Sequence, residues 1–71
     1  MKIDKDTGYL GASGGRCYWV YNRYLEFSDD TTPEEIQAFA DVEKKNWCGQ
    51  EFRALVKGQT LHIRKGIDSG D

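Results

Sequence analysis

The sequence predicts an α+β domain: a small antiparallel sheet of three or four strands with one helix packed on one of its faces, in the order β-β-α-β-β. Three observations predict it. Residues 32–47 carry a helix start signal followed by apolar residues at helical spacing. Residues 51–65 alternate apolar and polar on both sides of a Gly-Gln pair. The stretch RCYWVYNRYLEF, residues 16–27, packs five aromatics into twelve residues.

The helix is the most sharply marked element. Thr32 is placed to be the N-cap, Pro33 falls at N1 where its missing N–H costs nothing, and Glu35 at N3 completes a T-x-x-E capping box. Ile36, Phe39, Ala40 and Trp47 share one stripe, with Val42 at its margin; Glu34, Gln37, Asp41, Lys44 and Lys45 lie opposite. The spacing of Asp41 and Lys45 is that of a favourable i,i+4 pair, and basic residues close the C-terminal end, where the helix dipole prefers them. The expected span is 33–46. Glu43 is the misfit: it falls inside the apolar stripe and requires an Arg partner or an exposed last turn.

The second element is a hairpin turning at Gly58–Gln59, with glycine first as a type II′ turn wants. That register pairs Lys57 with Thr60, Val56 with Leu61, Leu55 with His62, Ala54 with Ile63 and Arg53 with Arg64. One face then reads Phe52, Ala54, Val56, Leu61, Ile63, wholly apolar. The other reads Arg53, Leu55, Lys57, Thr60, His62, Arg64, largely basic. A slip of one residue would invert the split, so the pattern specifies its own register.

The aromatic stretch admits two readings. As one long strand it places Cys17, Trp19, Tyr21, Leu25 and Phe27 on one face, with Arg23 interrupting. As a hairpin turning at Asn22–Arg23 it places Tyr18, Val20, Leu25 and Phe27 on a purely apolar face, and Cys17, Trp19, Tyr21, Tyr24 and Glu26 on the other. The cleaner pattern favours the hairpin, although Arg is a poor second residue for a type I′ turn. Residues 1–15 are expected to be a flexible or edge-strand segment: Tyr9–Leu10 read as a short edge strand and the glycines of GASGG as a loop. The main domain is expected over 16–65, and 66–71 as a frayed tail.

With 71 residues the chain is one domain at most. Chains this short bury only about 60% of their unfolded surface, so nearly every large apolar side chain must serve the core, and a spare exposed ring marks an interface. The longest apolar run, CYWVY, is far short of the roughly 20 residues a membrane span needs, and the N-terminus has no apolar signal region. The expectation is a cytoplasmic protein with Cys17 and Cys48 reduced.

Signals of chemistry are weak. The single histidine, His62, has no flanking signature of a Cys–His pair, and Cys17, Cys48 and His62 lack the close-spaced ligand pair of a zinc site. No metal, no cofactor and no enzymatic activity is expected. The charge layout says more. Between Glu26 and Glu43 lie seven acids and no base; the rest of the chain holds five acids against ten bases, for a net charge of −2. Asp29, Asp30, Glu34 and Glu35 surround the helix start, where negative charge is stabilising. Together with Glu26 and Asp41 they form a candidate acidic surface for a basic partner. The second candidate is the open sheet face, where Trp19, Tyr21 and Tyr24 stand beside Arg53, Lys57, His62 and Arg64. Trp, Tyr and Arg dominate interface hot spots, and exposed rings on a basic sheet also suit single-stranded nucleic acid. That face is open unless the N-terminal segment folds over it or two copies pack sheet on sheet.

The functional expectation is a small non-enzymatic binding protein. It would inhibit or modulate a macromolecular partner, as an accessory protein of phage or plasmid type, and its acidic surface would suit a nucleic-acid-handling complex. The alternatives are a nucleic-acid-binding module using the aromatic–basic face and a homodimeric structural module.

Overall fold

The computed structural model describes residues 1–68. Its elements follow in the order β1 (Ile3–Asp6), β2 (Leu10–Gly15), β3 (Tyr18–Phe27), α1 (Pro33–Lys45), β4 (Glu51–Lys57) and β5 (Thr60–Asp68). The α+β expectation holds: one antiparallel sheet with one helix on one face. The sheet has five strands rather than three or four. Its spatial order is β1-β3-β5-β4, and β2 pairs with the same edge of β3 as β1 does, further along.

The hairpin reading of residues 16–27 is corrected. Residues Tyr18–Phe27 are one unbroken ten-residue strand, paired along its whole length with β5 from Tyr18↔Asp68 to Glu26↔Thr60. The turn falls earlier, at Arg16 and Cys17, where Cys17 takes φ 60 and joins β2 to β3. The segment GASGG is therefore strand, not loop. Residues 1–15 supply two edge strands in the plane of the sheet and do not fold over its open face. At the other end β5 continues to Asp68, so residues 66–68 belong to the sheet; 69–71 lie outside the described residues.

The hairpin of β4 and β5 has the predicted register pair for pair, from Lys57↔Thr60 to Arg53↔Arg64. Gly58 takes φ 58, a left-handed value that a β-carbon would strain. The helix starts as predicted: the Thr32 hydroxyl accepts from the Glu35 N–H at 3.2 Å, and Glu35 Oε1 accepts from the Thr32 N–H at 3.1 Å. It ends one residue before the expected limit.

The core lies between the helix and one sheet face. Leu25, Phe27, Ile36, Ala40, Leu61 and Ile63 are buried, and Ile3, Tyr9, Phe39, Phe52 and Val56 pack around them. Phe39 meets Phe27 edge to face at 5.8 Å. The helix runs back along β3, so that Phe39, Glu43 and Trp47 step past Phe27, Arg23 and Tyr21 in turn. Its 13 residues reach ~20 Å at about 1.5 Å each, whereas the 10 residues of β3 reach ~33 Å at about 3.3 Å each. The helix therefore covers only part of its sheet face. Among the described residues no helix is long and apolar enough to cross a membrane.

Candidate functional site

The face of the sheet away from the helix is built by alternation. Every second residue of β3, β5 and β4 points there, among them Tyr18, Val20, Asn22, Tyr24 and Glu26 from β3, Thr60, His62 and Arg64 from β5, and Lys57, Leu55, Arg53 and Glu51 from β4; of these Val20 is buried. Tyr24, His62 and Leu55 lie in one cross-strand row, because Tyr24 pairs with His62 and His62 with Leu55. The Tyr24 and His62 rings stack at 4.4 Å with an interplanar angle of 9°. Asn22 fixes the imidazole from the side through a 2.9 Å contact between its Oδ1 and His62 Nε2. That leaves the outer face of Tyr24 in solvent, at 49% exposure, and Leu55, on the far side of His62, at 63%. Two shallow depressions flank the row. One, of ≈ 470 Å³, is lined by Arg53, Ala54, Leu55, His62 and Arg64; the other, of ≈ 230 Å³, includes Tyr24, Leu55, Lys57 and Thr60.

The cations on this face are not equivalent. Arg64 is held by Glu51 at 3.0 Å, and Glu51 also accepts from the Tyr18 hydroxyl at 3.4 Å. Arg53 and Lys57 are exposed and have no ion-pair partner among the described residues. The face thus offers two unsatisfied positive charges around an exposed apolar row.

Of the sheet-face residues named from the sequence, Tyr24, Arg53, Lys57, His62 and Arg64 are brought together. Trp19 and Tyr21 are not. Because β3 is one strand, both point to the helix side, and the predicted aromatic platform of three rings reduces to Tyr24. Trp19 is 46% exposed because it lies beyond the helix's reach. Tyr21 packs edge to face on Trp47 at 6.4 Å. Glu51, Asn22 and Leu55 were missing from the predicted set. The hairpin register already placed Leu55 on the basic face, where an exposed leucine was the signal to read.

The acids do not form one patch. Glu26 points to the open face, within 4.0 Å of Lys5, away from the helix. Asp29 and Asp30 sit in the turn before the helix and Glu34 and Glu35 in its first turn, while Asp41 accepts a bond from Gln37 at 3.0 Å rather than pairing with Lys45. Two of them work inside the chain. The Ser28 hydroxyl donates to Asp30 and lowers its pKa; the Thr32 backbone N–H does the same for Glu35. The side chains of Asp29 and Glu34 are exposed and make no bond among the described residues.

Arg23 and Glu43, the two sequence misfits, resolve each other. Arg23 Nη1 donates to Glu43 Oε1 at 2.7 Å, and its Nε and Nη2 grip Asp6 bidentately at 2.9 and 2.5 Å. The guanidinium lies over the rings of Tyr9 and Phe39, and Tyr9 donates to the same Glu43 oxygen at 2.6 Å. Arg23 holds the Asp6 carboxyl down to about 2. Burial, reinforced by Glu43, pushes the Tyr9 phenol up to about 12. This cluster closes the core with polar groups and stands on the opposite side from the open face. Cys17 and Cys48 are not bridged. No protein-family model, no curated protein and no solved structure matches the chain.

Proposed function

We propose that the chain is a small non-enzymatic binding protein that occupies a macromolecular partner through its open sheet face, and that the partner is a protein presenting acidic side chains around an apolar spot. One observation carries this reading: Leu55 and Tyr24 form an exposed apolar row flanked by Arg53 and Lys57, neither of which is paired among the described residues. Rigid strands present that row, so binding orders little backbone. An aromatic–apolar centre with a charged rim is the usual anatomy of a protein interface. Direct nucleic-acid binding has weaker support. A net charge of −2 opposes it, and on the open face Tyr24 alone of the three predicted rings is present, offering one stacking position rather than three.

The test is capture from a nuclease-treated lysate of the source cell, comparing wild type with Leu55→Ser, Arg53→Glu and, as a control on the acidic side, Glu34→Lys. The same protein should be retained by wild type and Glu34→Lys and lost by the other two. Retention by Leu55→Ser and Arg53→Glu would overturn the reading. Loss only in Glu34→Lys would move the contact to the helix start, and loss on nuclease treatment would assign it to nucleic acid.

A further inference from the structure

Beyond the end of the helix, the helix side of the sheet holds a cleft of ≈ 310 Å³ lined by Tyr9, Tyr21, Trp47, Lys65 and Ile67. It exists because the helix is shorter than the strands beneath it. Its aromatic walls are seated on glycines. A β-carbon on Gly11 would lie 2.8 Å from the Tyr21 ring, and one on Gly49 would lie 2.4 Å from the Trp47 ring, so neither ring could keep its place. Trp47 holds its position at a cost, since its Nε1 is buried with no hydrogen-bond partner among the described residues.

The floor of the cleft is electrostatically unfinished. Lys65 is only 9% exposed, with Nζ 4.0 Å from the Tyr9 ring centroid and 4.9 Å from that of Trp47. Among the described residues no carboxylate lies within ion-pair distance of it, and the nearby Glu43 is engaged by Arg23 and Tyr9. A buried ammonium without a directly paired carboxylate is unfavourable, and aromatic faces offset only part of that. Burial accordingly holds the Lys65 pKa below the usual lysine value, against the opposing pull of Glu43. An anionic ligand would supply the direct ion pair that Lys65 lacks among the described residues, and the flat apolar walls select a flat apolar body. A cationic guest, otherwise natural for an aromatic cage, is excluded because Lys65 already fills that role.

We propose that this cleft binds a small aromatic carboxylate, with its carboxylate on Lys65 Nζ and its ring against Tyr21 and Trp47. The cleft is near the lower limit of ligand sites, which restricts the body to one or two fused rings. The site is on the opposite side of the sheet from the proposed partner surface and is independent of it.

Isothermal titration with 2-naphthoate tests this, using 2-naphthylmethanol as the neutral isostere and 2-naphthylmethylammonium as the cationic one. Naphthoate should saturate the folded protein, bind at least about tenfold tighter than the alcohol, and bind far tighter than the cation. Lys65→Met should remove the preference for naphthoate over the alcohol. Ile67→Trp, which fills the cleft and retains the lysine, should block both. Arg53→Glu should change nothing, which separates this site from the partner surface. The proposal is overturned by the absence of saturable naphthoate binding, by equal affinity for naphthoate and the alcohol, or by an unaltered Ile67→Trp. Should Lys65→Met fail to fold, the isostere ratio and Ile67→Trp decide the matter in folded protein.

Discussion

Arg23 is the residue on which two difficulties converge. An arginine in the middle of a core-facing strand side and a glutamate in an apolar helix stripe are each unfavourable alone. Brought together they form a bidentate, partly buried network with Asp6, capped by the rings of Tyr9 and Phe39. Removing one partner of a buried ion pair typically costs 3–5 kcal/mol, and the residual exposure of this cluster reduces that. Arg23→Met is therefore expected to lower unfolding free energy by about 2–3 kcal/mol. Glu43→Gln should cost clearly less in the Arg23→Met background than in wild type, as read from a urea-denaturation double-mutant cycle. Additive losses would mean that the two side chains do not share a network. Both misfits were legible in the sequence, but each only as an exception. Their pairing across 20 positions depends on the helix running back along β3.

At the scale of elements, local rules predicted most where local energies dominate. The capping box is contained within four residues, and Thr32→Ala should destabilise by about 1 kcal/mol while Thr32→Ser retains most of the bond. Thermal unfolding followed by circular dichroism checks this; an equal loss in both variants would point to the threonine methyl group rather than the cap. The hairpin of β4 and β5 was equally local, since its turn and its two-face split allow a single register. The strand β3 was not. Alternation alone favoured a hairpin, because that reading made one face purely apolar. The continuous strand prevails because it pairs along its full length with β5 on one edge and with β1 and β2 on the other. Those ladders, with Thr7 bonding the Tyr24 backbone in the gap between β1 and β2, pair the strand's backbone groups, against which one arginine on the core side, itself well paired, is a small cost.

For the molecule as a whole, the carboxylates set the response to acid. Asp6, bound by Arg23, titrates near 2 instead of 3.8; Asp30 and Glu35 are lowered by hydrogen bonds from Ser28 and Thr32. A group whose pKa is depressed by folding stabilises the native state above its ordinary pKa and ceases to do so as pH falls through the folded value. Stability should thus be flat down to about pH 4 and fall toward pH 2. Asp6→Asn should remove part of that slope in denaturation curves taken across the range; an unchanged slope would remove Asp6 from the account. Tyr9, raised to about 12 from 10.0, acts in the opposite sense, its contribution being lost as pH rises through that interval. The sequence by itself determined the fold class, the helix with its cap, the register of the second hairpin and the basic face that this register creates. These follow from periodicities and turn residues a few positions apart. Only the tertiary structure decided where the aromatic rings point, that the acids divide between two faces, and that Lys65 lies under Tyr9 and Trp47 with no ion-pair partner among the described residues. These outcomes depend on which strands pair across long sequence separations and on how much of the sheet a short helix covers, and neither quantity is written in any local pattern.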